Sequence, residues 1–172
     1  MALKQLLIIL IISTVLGLGV NLFSANRIPY IGDYRELSSG DGPVVPPEAA
    51  EGDPPFIGLD VAHLEYVADD AVFIDSRSPE EFACGTIPGS VNIPFEYMPE
   101  GDLGPYFDSA LGYVPKNTQL ITFCSGEECD LSLHLARNLQ YEGYDNVKIF
   151  FGGAREWENN DLQVERREEC GA

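Results

Sequence analysis

Four short apolar runs, separated by segments of helical character, constrain the fold of this chain more than any other feature. The runs are "AVFID" (71–75), "SVNIP" (90–94), "QLITFC" (119–124) and "NVKIFF" (146–151). Each has the length of a strand, and continuous apolar runs are typical of strands that are buried on both faces. Strands that alternate with helices predict an α/β fold with a mostly parallel central sheet flanked by helices.

Three segments between and before these runs carry helix signals. "LSLHLARNLQYEGY" has leucines at helical spacing and a glycine that ends the pattern. "LDVAHLEYVA" (59–68) predicts a short helix with Asp60 as its cap. "SPEEF" (78–82) combines a serine cap, a proline in the first turn and two acidic residues, which together mark a helix start.

Asp75 and Cys124 each end a predicted strand. In open parallel sheets, binding and catalytic sites lie beyond the carboxyl ends of the strands. Both residues are therefore expected at the functional edge of the sheet.

The N-terminal segment is uncharged and long enough to cross a bilayer. Its apolar stretch, Leu6 to Phe23, would span about 27 Å as a helix, close to the hydrocarbon thickness of a membrane. A cleaved signal peptide is the alternative, but "NLFSA" is a poor match to a small-x-small cleavage site. The segment predicts a single transmembrane anchor.

The charges around this span indicate its orientation. Lys4 and the N-terminal amine precede the span, and the positive-inside bias places the N-terminus in the cytoplasm. The rest of the chain is then expected outside the cytoplasm, in the periplasm if the source is bacterial. No sequence signal decides the oligomeric state.

The chain divides into four parts by composition. Residues 1–27 form the predicted anchor, and residues 28–55, rich in proline and glycine, read as a flexible linker, with an ordered strap as the alternative. The predicted α/β domain covers 56–160, and 161–172 form an acidic tail.

The net charge of −18 argues against a nucleic-acid partner, because binding to a phosphate backbone requires a basic face. An anionic lipid surface would also repel the acidic chain. The acidic residues instead predict a well-solvated surface.

Cys124 lies where a strand turns into a helix. Backbone N–H groups in such a turn, together with the helix N-terminus, stabilise an anion at the centre of the loop. This environment lowers the pKa of a thiol and gives a nucleophile at neutral pH. Gly126 permits the tight backbone geometry that the turn needs. An inert cysteine at the end of a buried strand is the alternative.

Three sequence blocks resemble the rhodanese-like domain family. The blocks are "VFIDSRSPEEFACGTIPGSVNIP" (72–94), "CSGEEC" (124–129) and "GYDNVKIFFGGAREWE" (143–158). The resemblance covers roughly residues 56–160, and the order of the three blocks makes it specific.

The resemblance implies a loop cysteine that carries sulfane sulfur as a persulfide. Cys124 matches the sulfur carrier, and Asp75 and Arg77 match an Asp-x-Arg turn that borders the site. The expected cradle around the carrier consists of Ser125, Gly126, Glu127, Glu128 and Cys129.

The sequence departs from the family pattern in two places. Thr86 stands where the family commonly has histidine, at a mostly structural position. Glu127 and Glu128 make the loop acidic, whereas many members that use thiosulfate carry basic residues there. Thiosulfate is therefore not expected to be the preferred donor.

A phosphatase of the Cys-x5-Arg design is excluded. That design requires an arginine six residues after the cysteine, to clamp phosphate with two hydrogen bonds. Asp130 occupies this position.

Cys129, five residues after Cys124, admits two interpretations. It fills space at the helix start, or it pairs with Cys124 if the loop brings the two Cα atoms within about 4.4–6.8 Å. Cys84 is read as a packing residue, and Cys170 as an exposed residue of the tail. The cysteine spacing gives little support to a zinc site.

The leading hypothesis from the sequence is a membrane-anchored sulfurtransferase that passes sulfane sulfur from a donor to a thiol, with a partner protein as one candidate. This chemistry needs no metal and no organic cofactor. A non-catalytic binding or scaffold module, and a thiol redox protein using Cys124 and Cys129, are the alternatives.

Overall fold

The structure is a computed structural model that describes residues 42–167 continuously, together with positions 4, 5, 7, 9, 10, 13, 14, 16, 19 and 20. The chain separates into two units, Met1–Glu36 and Leu37–Ala172. The described positions of the first unit are helical. Most of the predicted anchor lies outside the described residues, and the described residues contain no helix with the length and apolarity to span a bilayer.

A four-stranded parallel sheet forms the centre of the second unit. Its strands are β1 (Val72–Asp75), β2 (Val91–Asn92), β3 (Leu120–Phe123) and β4 (Val147–Phe150), in the spatial order β2-β1-β3-β4. All pairings are parallel. The sequence prediction of a mostly parallel α/β fold is confirmed, and each strand lies within one of the four apolar runs.

Within residues 42–167, five α-helices accompany the sheet. They are α1 (Leu59–Ala68), α2 (Pro79–Cys84), α3 (Gly104–Ala110), α4 (Leu131–Tyr141) and α5 (Gly153–Asn159), with a 3-10 turn at Phe95–Tyr97.

Both faces of the sheet are buried, because alternate strand residues enter different core clusters. On one face, Ile74 and Leu120 pack with Leu139 of α4. On the other face, Phe73 and Phe123 pack in a second cluster of hydrophobic side chains. This two-sided burial explains why the strands read as unbroken apolar runs.

Local signals account for the ends of two helices. Ser78 caps α2 in a reciprocal capping box with Glu81, as its sequence predicted. The prediction of Asp60 as the cap of α1 is wrong. The N-cap is Gly58, in extended conformation, and Asp60 lies two residues later, in the first turn, where a negative charge suits the positive end of the helix.

The end of the predicted linker lies on the domain rather than free in solvent. Arg137 of α4 forms an ion pair with Asp53 at 2.7 Å and donates to the Glu48 carbonyl. Ile57 and Ile149 then continue the contact, since the Ile57 N–H donates to the Ile149 carbonyl at 2.9 Å. The described part of this segment is therefore an ordered strap, the alternative that the sequence left open.

The start of the predicted tail also belongs to the ordered unit. Thr86 and Glu165 exchange two backbone hydrogen bonds, at 3.0 and 2.9 Å. The buried indole of Trp157 donates to the Gln163 carbonyl at 2.9 Å. The ordered unit thus extends beyond the predicted boundaries at residues 56 and 160. The ion pair of Arg137 holds the segment before residue 56, and the backbone bonds of Thr86 and the indole bond of Trp157 hold the segment after residue 160.

Candidate active site

Cys124 follows β3 directly and is almost completely buried, with 1% of its surface exposed. Its position is fixed by the neighbouring strand, because Phe123 is in register with Asp75 of β1. Ser76 strengthens this junction, since both its N–H and its hydroxyl donate to the Phe123 carbonyl at 2.9 Å. The predicted nucleophile therefore lies at the carboxyl edge of the sheet, as expected.

The loop from Ser125 to Glu128 turns tightly back toward the sheet. Gly126 has φ of 154°, a conformation that side chains disfavour, and its carbonyl accepts from the Cys129 N–H at 2.9 Å. The N–H groups of residues 125–128 donate to no acceptor within the described part of the chain. Successive N–H groups without an acceptor, in a tight turn, are the type of donor that binds anions in proteins.

Helix α5 holds the loop from the other side. The Ala154 N–H donates to the Cys124 carbonyl at 2.8 Å, and the Arg155 N–H donates to the Ser125 carbonyl at 3.0 Å. These contacts satisfy donors at the helix N-terminus, which have no partner inside the helix. The loop carbonyls are thereby engaged by α5, while the loop N–H groups stay available.

Gly153 makes this close approach possible, and sequence reasoning missed its role. Its φ is +65°, and a Cβ placed on it would collide with the Cys124 carbonyl oxygen and lie 2.9 Å from the Gly126 nitrogen. The signal was present in the Gly-Gly pair between a buried strand and a helix, since glycine is favoured where one backbone approaches another.

Cys124 and Cys129 form a disulfide, with their Cα atoms 6.2 Å apart. This separation lies within the range that disulfides adopt in proteins. The interpretation of Cys129 as a space-filling residue is therefore wrong, because the turn at Gly126 returns the chain toward Cys124. Cys84 is also disulfide-bonded, so its reading as a packing residue is wrong as well. Cys170 lies outside the described residues.

Asp75 and Arg77 form a buried ion pair at the site edge. Arg77 contacts both oxygens of the fully buried Asp75 carboxylate, at 2.9 and 2.5 Å, and also donates to the Gly85 carbonyl at 2.6 Å. The Thr86 hydroxyl donates to the same carboxylate at 2.8 Å. Every donor here orients the carboxylate, so Asp75 holds the edge of the sheet rather than facing a reactant.

A pocket of about 200 Å³ opens beside the loop. Its lining includes Arg77, Ser125 of the cradle, Arg155 of α5 and the buried Trp157. Arg77 lines this pocket, and its guanidinium is occupied by Asp75.

The two loop glutamates differ in environment. Glu128 is exposed, whereas Glu127 is half-buried. Burial raises the pKa of Glu127, and the nearby Arg155 opposes that shift. Burial also raises the pKa of Glu156 on α5, and the Glu127 charge adds to that shift. The mouth of the loop is therefore acidic, with Arg155 as a neighbouring cation.

No group of three or more histidine, cysteine or acidic side chains with metal-binding geometry occurs among the described residues.

Comparison with known proteins agrees with this geometry. A family model for the rhodanese-like domain matches residues 62–160. The chain belongs to the rhodanese-like domain family. The matched region runs from α1 to the end of α5 and includes the strap-facing helix α4, the cradle loop and the Asp75 network.

Sulfurtransferases are among its relatives in this family. The chain is 37% identical over 93 residues to the human thiosulfate:glutathione sulfurtransferase, covering 51% of this chain and 78% of the relative. It is 27% identical over 114 residues to thiosulfate sulfurtransferase 16 of Arabidopsis thaliana, covering 63% and 91%. The solved structure of a human single-domain sulfurtransferase superposes with a TM-score of 0.50 at 26% identity, covering 63% of this chain and 97% of that one.

The contact between Gly153 and the loop can be tested by substitution. We expect Gly153→Ala to lower the free energy of unfolding by about 3 kcal/mol, because it adds a steric collision to the strain of positive φ. Urea unfolding followed by the fluorescence of Trp157, the single tryptophan, measures the effect.

Gly89→Ala is the matched control. Gly89 also has positive φ, +78°, but a Cβ there meets nothing within 4 Å. Its substitution should therefore cost only about 1 kcal/mol from strain. Equal costs at the two positions would contradict the proposed collision with the Cys124 carbonyl.

Proposed function

We propose that this protein is a sulfurtransferase that carries sulfane sulfur as a persulfide on Cys124. The observation that carries the proposal is the buried Cys124 beside four consecutive backbone N–H groups that have no acceptor among the described residues. Such donors stabilise a thiolate before the reaction and the persulfide anion after it. The sulfurtransferase relatives support the same chemistry.

The transfer consists of two displacements at sulfur. The Cys124 thiolate attacks the outer sulfur of a sulfane donor, and the remainder of the donor leaves as an anion. An acceptor thiolate then attacks that outer sulfur on Cys124, and the Cys124 thiolate is the leaving group. The disulfide with Cys129 must be reduced before the first step, because a disulfide-bonded Cys124 is not a nucleophile.

The acidic mouth of the loop favours donors of low charge. Two carboxylates at about 6 Å would each oppose an anionic charge by roughly 0.7 kcal/mol in water, and more where solvent is excluded. Thiosulfate carries two negative charges, whereas a persulfide of a small thiol or of a partner protein carries one or none at the reacting group. Arg155 offsets part of this repulsion without removing it.

A second candidate, a thiol redox protein, is favoured by the Cys124–Cys129 disulfide itself. In that function the two cysteines would exchange electrons with a substrate dithiol and never hold extra sulfur. Treatment of the reduced Cys129→Ser protein with a sulfane donor separates the two candidates, since only the carrier gains sulfur on Cys124. A binding or scaffold module would neither gain sulfur nor exchange electrons with a dithiol.

We further propose that Leu6–Phe23 anchors the protein in a membrane, with the domain outside the cytoplasm. The segment lacks charge, and the Ser13 and Thr14 hydroxyls both donate to the Leu10 carbonyl, at 3.0 and 2.8 Å. Such internal bonds reduce the cost of hydroxyl groups in a hydrocarbon environment. A disulfide at the site is compatible with an oxidising compartment.

Sulfur loading should depend on Cys124. In the reduced full-length Cys129→Ser protein, treatment with glutathione persulfide should add one sulfur atom, detected by intact mass spectrometry. The Cys124→Ser/Cys129→Ser protein should gain none, because it lacks the thiolate in the cradle. Labile sulfur at equal levels in both proteins would refute the assignment of Cys124 as the carrier.

Thiosulfate activity should rise when the loop charge is reversed. In the Cys129→Ser background, Glu127→Gln with Glu128→Lys should raise kcat/KM for thiosulfate at least about tenfold at low salt, with a smaller gain at high salt. Arg155→Gln should lower kcat/KM for thiosulfate, because it removes the cation beside the loop. A neutral organic sulfane donor serves as the control and should respond little; unchanged thiosulfate kinetics in the double variant would mean that the carboxylates do not face the donor.

The topology proposal predicts that the mature protein retains Met1 or Ala2 at its N-terminus and fractionates with membranes. N-terminal sequencing and carbonate extraction measure both properties. A protease added outside spheroplasts or intact cells should remove the domain. A mature N-terminus near residue 26, or a domain that is protected from external protease, would contradict it.

A further inference from the structure

The two site cysteines differ in exposure as well as in position. Cys124 is buried at the end of β3, whereas Cys129 is half-buried on the outer part of the loop. They are nevertheless bonded to each other, because the loop turns back at the hydrogen bond from the Cys129 N–H to the Gly126 carbonyl. A persulfide on Cys124 would therefore form within reach of a second thiol.

We propose that Cys129 is a resolving residue that discharges the Cys124 persulfide as hydrosulfide, which gives the protein a persulfide reductase activity. This inference rests on the proposed function, since it requires sulfur on Cys124. It also explains why the chain combines a cradle cysteine with a second cysteine that can bond to it.

The reaction balances in atoms and electrons. The Cys129 thiolate attacks Sγ of Cys124 and the bond between Sγ and the outer sulfur breaks. The outer sulfur takes up a proton from solvent as that bond breaks and leaves as hydrosulfide. The two cysteines lose two electrons and form their disulfide, and the sulfane sulfur gains the same two electrons. The observed Cys124–Cys129 disulfide is the protein product of this step.

The charges around the loop favour the departure of the anion. Glu128 is exposed and Glu127 half-buried at the mouth, so a hydrosulfide ion released there moves away from negative charge. The same carboxylates oppose the return of anionic sulfur species. The acidic loop thus suits release of sulfide better than prolonged storage of a persulfide anion.

An external dithiol completes the cycle. Cys129 is half-buried whereas Cys124 is buried, so a reductant attacks the disulfide at Cys129. This attack expels Cys124 as a thiolate beside the loop N–H groups. The second thiol of the reductant then displaces Cys129. In sum, one persulfide and one dithiol yield one thiol, one hydrogen sulfide and one disulfide.

A single-turnover experiment on the full-length protein in detergent tests the inference. The protein is reduced, freed of reductant under anaerobic conditions and mixed with one equivalent of glutathione persulfide; sulfide is followed with a sulfide electrode, and protein mass by mass spectrometry. Wild type should release about one equivalent of sulfide and lose two hydrogen atoms. Cys129→Ser and Cys129→Ala should instead accumulate one extra sulfur atom and release sulfide at least about 100-fold more slowly, since an intramolecular thiolate acts at high effective concentration.

The possible results distinguish this inference from the proposed function. Sulfur that stays on wild-type Cys124, with no disulfide, would overturn the resolving role and leave the carrier function intact. A disulfide without released sulfide would also overturn it, because the electrons would then have gone to another acceptor. Absence of sulfur from both Cys129 variants would overturn the carrier function itself.

Discussion

The contact between the start of α5 and the loop after β3 is the constraint on which the site depends. Two N–H groups of the helix are bonded to the Cys124 and Ser125 carbonyls, and the absence of a side chain at Gly153 lets the backbones meet. A peptide group that is held by its carbonyl has its N–H fixed on the opposite side. The same contact that satisfies a helix end therefore orients the loop donors that an anionic sulfur requires.

Much of this arrangement could be predicted from the sequence, because its signals are local. The apolar runs gave the strands, the serine–proline start gave α2, and the rule for parallel sheets placed Asp75 and Cys124 at one edge. The partner of Cys129 and the role of Gly153 could not be derived in this way. The disulfide and the close approach of Gly153 both depend on distances in space between segments of the folded chain. The number of residues between two positions does not determine such a distance.

The segments at either end of the domain were harder for a different reason. Proline, glycine and acidic residues are typical of linkers and tails. Composition does not show whether one long-range hydrogen bond or ion pair holds such a segment against the domain. Arg137 forms an ion pair with Asp53, and the buried Trp157 indole requires an acceptor, which the Gln163 carbonyl supplies. Likewise, Asp60 has the residue type of a cap, yet the extended backbone at Gly58 determines where α1 begins.

The hydrogen bond from the Thr86 hydroxyl to the Asp75 carboxylate does not depend on pH in the physiological range. A histidine at this position would gain or lose a proton between about pH 5 and 8. Its hydrogen bond to Asp75 would then come from a charged donor at the lower pH and from a neutral one at the higher pH. The threonine hydroxyl keeps its proton across that entire interval and donates to the carboxylate throughout. A protein whose domain meets surroundings of fluctuating acidity would thereby keep the edge of its sheet, and the thiol beside it, in one arrangement.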